Sequence, residues 1–108
     1  MTNDLFLEAK KLREHPEYLC GLSPYEQDIY RELDALQLET LRAVSARKTS
    51  YNILGLKMST SQAAGEDIAP LSRQAGALKE EIASLDALLY AISEQLLPFF
   101  ERCLPNFA

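Results

Sequence analysis

The sequence predicts an all-α protein: a long antiparallel two-helix coiled-coil hairpin with a short N-terminal helix packed at its open end. Three observations lead there. Ile68, Leu71, Ala75, Leu78, Ile82, Leu85, Leu89, Ile92, Leu96 and Phe99 follow alternating steps of three and four, and all ten are apolar. Such a seam, sustained over several heptads, needs a partner helix of similar length. The 4 Gly and 5 Pro cluster, so that residues 25–54 contain neither. No stretch alternates apolar and polar residues over the length of a strand.

The first helix is expected over residues 3–14. Asn3 can cap it, and Asp4 and Glu8 lie near the N-terminus, where the helix dipole favours acids. Lys10, Lys11 and Arg13 lie near the C-terminus, where it favours cations. His15 precedes Pro16 and is pushed out of helical geometry, so residues 1–22 read as a short helix and a link. Ser23-Pro24-Tyr25-Glu26 is a capping box with proline at the first helical position. It opens a second helix expected over residues 23–58, with a weaker stripe of Ile29, Leu33, Leu36, Thr40, Val44, Arg47, Tyr51, Leu54 and Met58. Residues 59–66 read as the polar turn at the tip. Asp67 then caps a third helix over residues 67–104, with Pro70 in its first turn, where the missing N–H does little harm. Pro98 should kink this helix around residues 94–98. Phe99 and Phe100 should pack against the first helix near Leu5, Phe6 or Leu12. The whole of 1–108 reads as a single domain.

Composition narrows the function classes. With 11 Lys+Arg against 16 Asp+Glu the net charge is −5, which argues against a generally basic nucleic-acid binder and places DNA outside the expected partners. No apolar run approaches the roughly 20 residues of a membrane span, so no membrane partner is expected. The N-terminus has no basic segment before an apolar stretch, so no signal peptide is read, and the expected location is the cytoplasm. Two cysteines without a Cys-x-x-Cys motif give neither a zinc framework nor a disulfide scaffold. Cys20 and Cys103 should both lie at the open end as inert or packed thiols. His15 has no Cys or acid pair at metal spacing and reads as a loop histidine. Glu80, Glu81 and Asp86 are most simply a polar helix face. No glycine-rich phosphate loop and no nucleophile–base pair is present. Catalytic residues, metal ligands and cofactors are therefore all expected to be none.

The charges are uneven along the chain. Residues 41–79 hold six cations, Arg42, Arg47, Lys48, Lys57, Arg73 and Lys79, against two acids, Glu66 and Asp67, a local sum of +4. Each cation taken singly reads as part of a solvated helix surface. Together they form the basic stretch a phosphate-backbone reader needs, since Lys and Arg supply a sequence-independent attraction. Tyr51 lies among them and could stack on a base or fill the seam.

The order of these features resembles the N-terminal domain of seryl-tRNA synthetase. Leu12-Arg13-Glu14-His15-Pro16-Glu17 resembles that domain's early run, in which Leu-Arg, Glu and Asn or His precede Pro-Glu. The stretch from Leu41-Arg42-Ala43 through Arg47-Lys48-Thr49 sits where the family carries an Arg-Asn segment, with Lys48 in place of Arg and Thr49 in place of Asn. Gly65-Glu66-Asp67 resembles the restart of the second arm helix. Ala77-Leu78-Lys79-Glu80-Glu81-Ile82 matches a recurrent run, and Leu104-Pro105-Asn106 resembles the Ile-Pro-Asn exit of the arm. The resemblance spans nearly the whole chain. The link after Pro16 is shorter than in the family, and the class II motifs that bind ATP and serine are absent. The chain is therefore expected to be an excised domain or a free-standing arm, and not an enzyme by itself.

The resemblance implies a coiled-coil arm that contacts the long variable arm of serine tRNA, mostly through backbone shape and phosphates. Arg42, Arg47, Lys48, Lys57, Arg73 and Lys79 are the expected RNA-binding residues. Aminoacylation would need a catalytic domain, or another protein, meeting the open end. The rival expectation is a protein-interaction module that forms a homodimer or docks on a partner helix. The altered Lys48-Thr49 segment and the acidic balance favour that rival.

Overall fold

A computed structural model describes residues 5–104, with side-chain burial from residue 6. Expectations that fall on Asn3, Asp4, Pro105, Asn106 and the Leu5 side chain lie outside the described residues. The elements are α1 (Leu5–Glu14), a 3-10 helix (Pro16–Gly21), α2 (Pro24–Ala63) and α3 (Ala69–Cys103). The described residues contain no strand. The long helices α2 and α3 pack against each other as a hairpin. The chain divides into two compact units: a terminal unit of the residues up to Leu38 and from Tyr90 onward, and a central unit, Glu39–Leu89.

Local chemistry explains where the helices begin and end. Ser23 and Glu26 form the reciprocal capping box: the Ser23 N–H donates to Glu26 Oε1 at 3.1 Å, and the Glu26 N–H to Ser23 Oγ at 3.2 Å. The expected turn at 59–66 is a correction, because residues 59–63 are helical. Ser59, Thr60, Ser61 and Gln62 are polar but carry no break, and Thr60 returns its hydroxyl proton to the Leu56 carbonyl at 3.0 Å. The stop comes at Gly65, whose φ of +76° places it in the left-handed region. Its N–H donates to the Gln62 carbonyl and that of Glu66 to the Ser61 carbonyl, the paired bonds of a Schellman ending. Asp67 Oδ1 then accepts the Ala69 N–H at 3.0 Å, so α3 opens at Ala69, two residues later than the expected 67.

The terminal unit has a many-sided core. Phe100 and Leu96 are fully buried with Ala9, Leu12, Leu19, Leu22, Tyr30, Ile92 and Leu104, and Phe99 packs at the edge. The expected meeting of Phe100 with the first helix therefore runs through Ala9 and Leu12, while Phe6 stays half exposed. Pro98 does not interrupt α3. An internal proline costs about 3 kcal/mol, and the burial of Leu96 and Phe100 on either side offsets it, since truncating a buried Phe costs a similar amount, about 3–5 kcal/mol. His15 is non-helical, as a residue before proline should be (φ −127°, ψ 68°). The link after it is a 3-10 helix that sends Leu19 and Leu22 inward. Gln27 Nε2 caps this segment by donating to the Leu19 and Leu22 carbonyls at 3.2 and 3.1 Å.

The apolar seam of α3 is where the sequence places it. All ten positions are buried or half-buried. The α2 stripe needs two corrections: Tyr30, 2% exposed, stands in place of Ile29, and Gln37 in place of Leu36. Leu36 is 43% exposed, whereas Gln37 is 2% exposed. The observed inner row is Tyr30, Leu33, Gln37, Thr40, Val44, Arg47, Tyr51, Leu54, Met58 and Ser61, an unbroken alternation of three and four. Choosing Leu36 for its apolarity shifts the row by one residue. Gln37 is admitted because its Nε2 donates to the buried Ser93 Oγ at 3.2 Å, which removes most of the penalty of burying an amide. Tyr30 is the exception to this pairing. Its hydroxyl has no hydrogen-bond partner, and burial pushes its pKa far up.

Ion pairs tie the terminal unit together. Arg13 Nη1 meets Asp34 at 2.9 Å, joining α1 to α2. Burial nevertheless raises the Asp34 carboxyl, with Arg13 opposing it, so this pair is weak support for the fold. Arg102 near the end of α3 donates to Glu26 at the start of α2. The Arg102 hydrogen bond, followed by the Ser23 N–H, holds the Glu26 carboxyl at about 2.

Two outcomes follow. Leu36→Ala should destabilise clearly less than Leu33→Ala or Gln37→Ala in urea unfolding, with a buried, hydrogen-bonded Gln37 costing about 1–3 kcal/mol when truncated. Glu26 has a depressed folded-state pKa, so its stabilisation is full above about 4.5 and disappears as the pH falls toward about 2. Glu26→Gln should therefore lower the thermal midpoint at pH 7 and flatten its fall over that acid window.

Candidate nucleic-acid interface

The central unit carries all six cations singled out from the sequence. It has a narrow core: Thr40, Val44, Leu54 and Leu89 are its fully buried residues, and the rest of its seam is half-buried or exposed. Two helices alone cannot enclose every seam side chain, so grooves open along them. Residues 39–89 also include Glu39, Glu80, Glu81 and Asp86, giving six cations and six acids. The +4 of residues 41–79 thus belongs to part of this unit, and the chain's −5 comes from the remaining residues.

The cations divide into four settings. Arg47 sits in the inner row, half-buried, and its Nε donates to Glu81 Oε1 at 2.8 Å. Glu81 neutralises it, so Arg47 serves α2–α3 pairing. Lys48 and Lys79 line one groove with Tyr51 and Ile82, of about 240 Å³. Lys48 lies one helical turn before Tyr51 on the same side of α2, and Lys79 approaches from α3. Lys57 lines a second groove with Ile53, Leu56, Thr60, Ser61 and Leu71. Arg42 and Arg73 are exposed and outside both. Among the described residues, none of Arg42, Lys48, Lys57, Arg73 and Lys79 has an ion-pair partner. Of the six sequence candidates, then, one is consumed structurally, two converge, and three stand apart.

Tyr51 is the residue whose setting the sequence leaves open. It holds a seam position but is 38% exposed. It borders both the Lys48–Lys79 groove and an adjoining one lined by Gly55, Met58, Ser72, Ala75, Gly76 and Lys79. The missing side chains of Gly55 and Gly76 help to open that space, and a Cβ added at either would meet nothing within 4 Å. The sequence signal for this groove is the pair of glycines inside otherwise continuous helical patterns.

The other candidates are plain. His15 Nδ1 lies 3.1 Å from Glu17 and its ring stacks on Tyr18 with centroids 5.1 Å apart. Cys20 is exposed and Cys103 half-buried, both as free thiols, and burial raises the Cys103 thiol pKa. Among the described residues no group of three His, Cys, Asp or Glu could hold a metal ion, and no helix is long and apolar enough to cross a membrane. No protein-family model, curated protein or solved structure matches the chain.

Glu81→Gln should change the unfolding free energy by less than about 1 kcal/mol, because the Arg47–Glu81 pair is largely exposed. The check is urea unfolding at low and moderate salt.

Proposed function

We propose that this chain is an RNA-binding helical hairpin of the kind that serves as the tRNA arm of seryl-tRNA synthetase. It would contact the long variable arm of serine tRNA through backbone phosphates, in the cytoplasm, in support of a serine–tRNA ligase catalytic domain. The observation that carries this reading is the convergence of Lys48 and Lys79, from opposite helices and without acid partners, on one groove beside an exposed tyrosine ring. Arg42, Lys57 and Arg73 add unpaired positive charge around the same hairpin unit. The ordered motif resemblance is the support for tRNA as the ligand, and the hairpin is the architecture that reading expects. Contacts of this type read shape and phosphate position rather than base edges.

A second reading has its own observation. Leu56 is 71% exposed and Ile53 47% exposed, and both face the groove that Lys57 and Leu71 share. A protein-interaction module would use such a stripe to receive an apolar helix, from a partner or from a second copy of the chain.

The deciding measurement is a titration of labelled serine tRNA beside a tRNA without a long variable arm, at two salt concentrations. The RNA reading expects preference for the long-armed tRNA and a log–log salt slope set by the few phosphates neutralised. Reversing Lys48 and Lys79 to Glu should abolish binding, while Leu56→Asp should leave it intact. Absence of binding to either tRNA at low salt, with self-association or partner capture lost in Leu56→Asp, would establish the second reading instead.

A further inference from the structure

The Lys48–Lys79 groove contains more than charge. Here the Lys48 and Lys79 side chains line a groove beside a ring that the hairpin leaves partly exposed, and the groove adjoining it is lined by Gly55, Ser72, Ala75 and Gly76. The space there is about 350 Å³. Each of the two glycines is a poorer helix former than alanine, and no packing contact requires them, since an added Cβ would touch nothing.

We infer that this groove holds one unstacked nucleotide, with its base against the Tyr51 ring and its flanking phosphates between Lys48 and Lys79. The inference rests on the RNA-binding reading and deepens it: the ligand class at this groove is single-stranded or looped RNA, not the duplex. Lys48 and Lys79 set the strand's position by charge. Tyr51 supplies a flat, sequence-tolerant surface, as aromatic side chains do for unpaired bases. Gly55 and Gly76 keep the approach open. Arg47, paired with Glu81 at 2.8 Å, takes no part in the phosphate contacts.

The test compares a labelled unstructured oligoribonucleotide with an RNA duplex of equal length, titrated against the full chain at low salt. The single strand should bind about tenfold more tightly, the size of effect that one base–aromatic stack provides. Tyr51→Phe should bind like the original protein. Tyr51→Leu, which keeps apolar volume in the seam, should lose about tenfold on the single strand and nothing on the duplex. Gly76→Leu should lose single-strand binding while raising thermal stability, an outcome that a merely structural role for Gly76 would not give. Equal binding of the two RNAs with no effect of Tyr51→Leu would overturn this inference and leave salt-dependent tRNA binding standing. No binding of serine tRNA, oligonucleotide or duplex at low salt would overturn both.

Discussion

The structure depends on the ten-position apolar seam that runs from Ile68, just before α3, to Phe99 and cannot remain in water. Its regular spacing of three and four selects a helical partner, and α2 is the long helix the chain provides. The matching row on α2 is less apolar, with Gln37, Thr40, Arg47 and Tyr51 among its members. Three of these bring a condition. Gln37 needs Ser93, Arg47 needs Glu81, and Tyr51 keeps part of its ring in solvent. Polar members of a seam fix register, because a shift of one position would strand them without partners.

The two compact units meet their burial requirements differently. In the terminal unit, α1 and the 3-10 helix supply Ala9, Leu12, Leu19 and Leu22, so Phe100 and Leu96 are enclosed on several sides. That enclosure lets α3 continue through Pro98, and the Glu26 carboxylate adds a tie from the α2 capping box to Arg102. In the central unit only two helices are present, and the seam residues there are mostly half-covered. Grooves are the direct consequence. Around them lie lysines, a tyrosine and two positions without side chains.

Charge alone does not define the interface. The unit that carries the six cations also carries six acids, so long-range attraction from the unit as a whole is small. What sets the Lys48–Lys79 groove apart is its local arrangement, in which the two lysines line one groove while Glu81 is occupied by Arg47. The same redistribution explains why Arg47, which looks in the sequence like any other member of the basic stretch, belongs to the hairpin's own packing.

The sequence by itself determined the helical class, the α3 seam, the Ser23–Glu26 box and the Asp67 cap, because each depends on residues within one or two turns of each other. Local rules also marked Gly65, although the true end of α2 at Ala63 was hidden by a polar run that has no helix-breaking residue. The tertiary structure decided the rest. Gln37 replaces Leu36 in the inner row because a partner 56 positions away satisfies its amide. Pro98 is carried within α3 because the surrounding core outweighs one lost hydrogen bond. The candidate interface was legible as a group of cations but not as a site: which lysines converge, and which arginine is neutralised, depends on how α2 and α3 are aligned side by side, and that alignment is set by contacts no single segment contains.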